Sequence, residues 1–388
     1  VFSSRFHWDL RPNRLTRLLE QKRVEGRRIL DLTQSNPTRA GLTYDAGMMA
    51  ALGSGEGLVY DPAPAGSAAA RDEVVGYYAA RGYQVERGRI LLTASTSEGY
   101  GYLFKLLTNP GDEVLVPRPS YPLFEFLATM ESVGVRQYPL TYHGGWSIDV
   151  DGLAREVSER TRAVVVVNPN NPTGSYLKRE ELEGIARLCR DRGMALISDE
   201  VFGDYGFGPD ERRVRSVCGT EECLAFAMSG LSKVSGMPQM KLGWIVAAGP
   251  ERLRREAFEK LEWIADTYLS VSTPVQCAAG ALLRAGQDVQ DQIRRRTRGN
   301  LEWLRDKVAG SWAGVLDVEG GWYAVVRVPK VLSEEEWTLE LLGRHDVLVQ
   351  PGFFYDFESE AFLVVSLLTE EGEFREGIDR LLLSAGVQ

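Results

Sequence analysis

The chain has 388 residues, 44% of them hydrophobic and 26% charged, with a formal net charge of −9. A chain of that length buries a large core without disulfide or metal staples. Its mixed, mildly acidic charge argues against a nucleic-acid partner, which would present a basic face or run. No uninterrupted apolar stretch reaches the ~20 residues of a membrane span, so no membrane association is expected.

The first residues, VFSSRFHWDLRPNRLTRLL, are broken by Arg, Asp and Pro and hold no apolar leader core. A cytoplasmic protein is expected. Residues 89–92 form a short apolar strand, and TASTSEGYGYLFKLL after it reads as a helix. Residues 113–116 (EVLV) are a second strand. Residues 163–167 (AVVVV) are a β-branched run suited to burial on both faces, as in a parallel sheet. The helical stretch EELEGIARLCRDRG closes on Gly193, which suits the position just past a helix, and residues 194–198 (MALIS) follow as a strand. From 251 to 304 the pattern is almost wholly helical. Within it, IRRRTRGN from Ile293 reads as a solvated helix face. Short strands and a terminal helix end the chain. Alternating strands and helices predict an α/β fold with a mainly parallel sheet flanked by helices, followed by a smaller α+β part.

Cys189, Cys218, Cys223 and Cys277 form no CxxC pair, and His7, His143 and His345 are scattered. Neither a metal site nor a disulfide framework is expected, and the thiols are expected to be reduced and buried.

In open α/β sheets, ligands bind beyond the carboxyl ends of the strands, so the loops there carry the chemistry. TASTSEG (93–99) opens a helix whose free N–H groups suit an anion, with Ser95, Thr96 and Ser97 adding hydroxyls. Ser95 and Glu98 also fit a capping box, which needs no ligand. The Gly-rich phosphate motifs GxGxxG and GxxxxGK are absent. In PRPSYP (117–122), Tyr121 offers a flat ring, or core packing. NPNNPTG (168–174) imposes a rigid polar turn from which Asn171 can aim its amide. In SDEVF (198–202), Asp199 at a strand tip needs a cationic partner, either a ligand or a structural one. In SGLSK (229–233), Lys233 sits among Ser229, Gly230 and Ser232, small neighbours that leave room for a cofactor. A lysine used as a nucleophile must lose its proton readily. A phosphate cradle, a stacking ring, a strand-end carboxylate and a lysine together are the requirements of pyridoxal phosphate.

In these motifs the chain resembles the class I/II aminotransferases, the fold-type I pyridoxal-phosphate enzymes of the aspartate aminotransferase superfamily, from QSNPT at Gln34 to the terminal helix. The resemblance implies a large cofactor-binding domain over 46–289 and a smaller domain from 1–45 and 290–388. It implies that Lys233 forms the Schiff base with pyridoxal 5′-phosphate and moves the substrate proton. Asp199 then faces the ring nitrogen, Asn171 and the residue at 202 the phenolic oxygen, and Tyr121 the ring. Ser95, Thr96, Ser97, Ser232 and Lys241 fall at or beside the phosphate. Tyr60, in YDPAPAG, corresponds to a tyrosine reaching the neighbouring subunit's site, which implies a homodimer with shared sites. Asn36 lies in the segment covering the substrate. The implied activity is a ping-pong amino transfer from an amino acid or amine to a keto acid. A lyase, decarboxylase or oxidase on the same scaffold, or a non-catalytic relative, is the alternative.

Three positions depart from the family pattern. Lys241 stands where an arginine is usual, keeping charge without the bidentate fork. Phe202 stands where a tyrosine is usual, so one hydroxyl near the phenolic oxygen is lost. Val364 stands where the arginine that clamps the substrate carboxylate is usual. Arg39 is the candidate replacement, with an ordinary surface residue as the alternative. Phe353, Phe354, Tyr355 and Phe357 suggest an aromatic-lined pocket, or core packing.

Overall fold

The computed structural model describes residues 1–384 except His7, Asp9, Leu10 and Glu360. In chain order the strands are Leu30–Asp31 (β1), Ile90–Thr93 (β2), Glu113–Arg118 (β3), Gly134–Tyr142 (β4), Trp146–Ile148 (β5), Thr161–Val167 (β6), Ala195–Asp199 (β7), Ala225–Gly230 (β8), Gly243–Ala248 (β9), Gly314–Val315 (β10), Tyr323–Arg327 (β11), Val347–Leu348 (β12), Gln350–Pro351 (β13) and Phe362–Ser366 (β14). The α-helices are Arg14–Val24 (α1), Gly47–Ala50 (α2), Ala68–Ala79 (α3), Thr96–Leu107 (α4), Leu123–Met130 (α5), Val150–Glu156 (α6), Arg179–Arg192 (α7), Leu231–Val234 (α8), Glu251–Asp266 (α9), Thr273–Val308 (α10), Glu334–His345 (α11) and Glu371–Ser384 (α12).

One eight-stranded sheet, in the order β2-β9-β8-β7-β6-β3-β4-β5, dominates the fold. Its central neighbours from β4 to β8 are parallel, while β9 and β5 run against their neighbours. The AVVVV run shows why. Val164 and Val166 enter one apolar cluster, and Ala163, Val165 and Val167 enter another on the opposite face. Strand side chains alternate with period two, so a continuous apolar run is satisfied only when both faces are covered. Helices α3, α7 and α10 cover the first face; α4, α5 and α9 cover the second. Each fully buried valine is worth about 1.5–3 kcal/mol of apolar transfer.

A four-stranded antiparallel sheet, β10-β11-β14-β13, belongs to the C-terminal part. The N-terminal β1 pairs in parallel with β12, and the Ser366 N–H donates to the Leu32 carbonyl at 2.7 Å. Helix α10 runs unbroken through position 289. Its IRRRTRGN stretch is not uniformly solvated: Arg296 donates to the carbonyls of Ala40 (3.1 Å) and Leu368 (3.4 Å). Among the thiols, Cys189, Cys218 and Cys223 are buried, whereas Cys277 is exposed, because the first turn of α10 turns that side outward. No helix is long and apolar enough to cross a membrane, and no cluster of three His, Cys, Asp or Glu is placed to hold a metal, both among the described residues.

Two glycines separate backbone strain from crowding. Gly193 ends α7 at φ 63°, with open space where a Cβ would stand. Gly174, in the NPNNPTG turn, has φ 71°, and a Cβ there would lie 2.5 Å from the Gly320 carbonyl oxygen and 2.6 Å from Val318 Cγ1. Gly193→Ala is expected to lose roughly 1–2 kcal/mol, the left-handed cost alone, and Gly174→Ala distinctly more. Urea unfolding midpoints test this; equal losses would contradict it.

Candidate active site

The order of strands brings the sequence motifs to one edge. Reading across the sheet, the ends concerned are β2, β9, β8, β7, β6 and β3. They carry in turn Ser95–Ser97, Lys241, Lys233, Asp199 with Phe202, Asn171, and Tyr121. Strand β9 runs antiparallel, so its start, rather than its end, lies at this edge. These residues and Ser232 line one cavity of about 450 Å³.

Asp199 closes β7, and Lys233 lies in the short α8 that follows the adjacent β8. Protein packed around Asp199 pushes its carboxyl up to about 6. Hydrogen bonds from the Val201 N–H (3.2 Å) and the Tyr100 hydroxyl (3.2 Å), and the charge of Lys233, oppose that rise. Burial lowers the pKa of the Lys233 ammonium, against the attraction of Asp199. The amine lies 5.6 Å from the Trp322 ring centre and 5.8 Å from that of Phe202, with no hydrogen bond or ion pair among the described residues. Its backbone is fixed from behind: the Tyr205 hydroxyl donates to the Lys233 carbonyl, and Gln290 Nε2 to that of Val234 at 2.8 Å. A free amine on a fixed backbone, held toward its neutral form, is poised for chemistry.

At the other end, Ser95 caps α4, its hydroxyl accepting from the Glu98 N–H at 3.2 Å. The return bond of a capping box goes one residue early, from the Ala94 N–H to Glu98 (2.6 Å). The first N–H groups of α4, on Thr96 and Ser97, have no partner within the helix. Lys241 lines the same cavity from a left-handed backbone position at φ 53°. Strands β8 and β9 meet closely beneath: a Cβ on Gly230 would lie 2.9 Å from Gly243 Cα. Free N–H groups and a lysine are groups suited to an anion.

Asn171 reaches the cavity with its buried Oδ1 unpartnered. Tyr121 is half exposed there, 46% by area. Phe202 is buried, its ring edge-on to Trp322 at 5.2 Å. Not every expected residue arrives. Arg39 is exposed and does not line the cavity, because Asn36 Oδ1 caps the turn between them, accepting from the Thr38 N–H (3.1 Å) and hydroxyl (2.7 Å). Ser35, rather than Asn36, lines it. Of the aromatic segment only Tyr355 does; Phe354 and Phe357 pack on the core and Phe353 is exposed. Tyr60 is 73% exposed and lies elsewhere, in a separate groove with Asp61 and Ser270.

Tyr100, Tyr323 and Gln350 were not singled out in the sequence. Gln350 adjoins the PGFFYDF segment, the one local cue to it. The other two reach the cavity through tertiary packing alone.

The chain matches the family described as aminotransferase class I and II over residues 28–381. It is 26% identical over 376 residues to nicotianamine aminotransferase 1 of Oryza sativa subsp. japonica, covering 92% of this chain and 74% of that one. It is 26% identical over 372 residues to the glutamate-pyruvate aminotransferase AlaA of Haemophilus influenzae, covering 92% and 90%. In structure it resembles an alanine aminotransferase from Pyrococcus furiosus, with a TM-score of 0.89 at 22% identity over 99% of each chain. Motifs, fold and match agree: the chain belongs to the class I and II aminotransferases and is a pyridoxal-phosphate-dependent aminotransferase.

Proposed function

We propose that the strand-edge cavity is the site of amino transfer, with Lys233 as its catalytic residue. The observation that carries this is the unpartnered amine of Lys233, its pKa lowered by burial, in one cavity with the carboxyl of Asp199. The residues fit the cofactor: the Asn171 amide lining the cavity, free helix N–H groups beside Lys241, and a carboxylate in need of a cation. Pyridoxal phosphate supplies an aldehyde that joins amines and a ring that draws electrons from the carbon bearing the amine.

In this reading the Ser95, Thr96 and Ser97 end of α4, with Ser232 and Lys241, holds the phosphate. Asp199, kept in place by Tyr100 and Val201, stays ionised against the ring nitrogen and holds a proton there. Asn171 donates to the phenolic oxygen, and Tyr121 covers the ring. Lys233 would hold the cofactor through its amine and, when freed by an amino donor, would serve as the base that moves the donor's proton. Donor and carbonyl acceptor use the cavity in turn, a ping-pong exchange. Tyr60, exposed in the run Leu58-Val59-Tyr60, suits a second subunit's site, so the working form is a homodimer. Four unpaired cysteines suit a cytoplasmic setting.

Three outcomes test these roles. Lys233→Ala is expected to lose the donor half-reaction by about 10³-fold, within the range of a lost general base, with an unchanged unfolding midpoint; retained turnover would remove Lys233 from the mechanism. Second, a carboxyl raised to about 6 in the free protein is neutral below that pH and cannot pair with a cationic ring nitrogen. Cofactor affinity is therefore expected to fall as pH drops through about 6, and Asp199→Asn to bind weakly without that inflection. An inflection that persists in the variant would assign it elsewhere. Third, Phe202→Tyr restores a hydroxyl near the phenolic oxygen. It is expected to lower the pH midpoint of the bound cofactor's absorbance change by about 1 unit, one hydrogen bond's worth; an equal or higher midpoint would contradict this.

A further inference from the structure

Where the small sheet lines the cavity it presents no charged side chain. Val364 in β14 pairs directly with Val325 of β11 and Gln350 of β13, and Ser366 pairs with Tyr323. Directly opposed residues share one face of a sheet, and Gln350 and Tyr323 both line the cavity. Val364 therefore faces the same way, fully buried in the apolar core beneath. The cavity's cationic side chains from this chain are Lys233 and Lys241, one given to the reacting carbon and the other to the phosphate.

What the small sheet offers instead is a cluster of neutral hydrogen-bonding groups. The Tyr355 hydroxyl donates to Gln350 Oε1. Gln350 Nε2 has no partner among the described residues. The Tyr323 hydroxyl adjoins Ser35, and it lies close enough to Tyr121 and Tyr355 for the three to influence one another's ionisation. Burial holds Tyr323 and Tyr355 above the ordinary phenol range, so both stay neutral donors. A carboxylate placed here gains no opposite charge, whereas buried carboxylates need one. A hydroxyl or an amide is matched by an amide and phenols, each able to give and accept.

Resting on the proposed amino transfer, we propose that Gln350, braced by Tyr355, is the specificity-determining residue of the cavity and reads a neutral group beside the reacting carbon. The substrate of at least one half-reaction is then a primary amine bearing a hydroxyl or amide there, an amino alcohol or amino amide, in place of an α-amino carboxylate. The reaction balances as an ordinary transfer. The donor's C–N bond becomes a C=O bond with water supplying the oxygen, and the nitrogen and two electrons pass to the cofactor for the acceptor.

The test is single-turnover loss of the cofactor's absorbance band when the holoenzyme meets matched donors: phenylalanine, phenylalaninamide and phenylalaninol, with the leucine set alongside. The neutral donors are expected to react at least ten times faster per unit concentration than the acids. Gln350→Leu is expected to lower the rate with neutral donors at least tenfold with the band intact. Gln350→Arg, at a position already open to the cavity, is expected to move the preference toward the acids by a similar factor. Acids preferred by the wild type, or neutral-donor rates untouched by Gln350→Leu, would overturn the proposal, the first pointing to a cation supplied by a second subunit. If no donor of any kind shifts the band while the cofactor is bound through Lys233, amino transfer itself fails, and this inference with it.

Discussion

A sheet buried on both faces has room for polar chemistry only at its strand ends. In this chain that constraint does most of the organising. The alternating assignment of Ala163–Val167 to two apolar clusters closes both faces of β6, and β7 and β8 follow the same rule, with Leu196 and Ala227 on one side and Ile197 and Met228 on the other. What cannot be apolar is displaced to the edge, and because the central strands are parallel it is displaced to the same edge. Asp199 and Lys233 meet there because β7 and β8 are neighbours. No local feature of either residue brings them together.

The price of that arrangement falls on the charges. Burial raises the Asp199 carboxyl and lowers the Lys233 ammonium, so in the free protein each is biased toward neutrality. A cationic ring nitrogen and an aldehyde relieve both strains at once. Fixed hydrogen bonds from Tyr100 and Tyr205 keep the two groups in register while this happens. In the proposed function the site binds its cofactor through the tension that folding leaves in it.

Much of this was legible in the sequence, for a physical reason. Strand ends announce themselves as Pro, Gly, Asn and Ser breaking an apolar run, and the expected cofactor-facing groups lie in or beside such breaks, apart from Tyr60 of another segment. The helix stop at Gly193 was legible in the same way. Less legible were groups delivered by remote packing. Tyr323 lies inside an apolar strand and looks like core, and Tyr100 lies one turn into a helix. Arg39 shows the converse: adjacency to a recognised segment says nothing of direction, and the Asn36 cap turns it outward. IRRRTRGN is likewise only partly solvated: Ile293, Thr297 and Asn300 are buried, and Arg296 ties Ala40 to Leu368.

The proposed cofactor end and substrate end thus differ in kind. The first is built from backbone and strand ends; the second from the side chains of a separate sheet, where Val364 and Gln350 share a row. The direct test is where the cofactor is attached. Borohydride reduction of the holoenzyme, followed by proteolysis and mass spectrometry, should place the pyridoxyl group on Lys233 and leave Lys241 unmodified. Label on Lys241, or no label with the cofactor bound, would contradict the assignment of a free, buried amine as the reacting group.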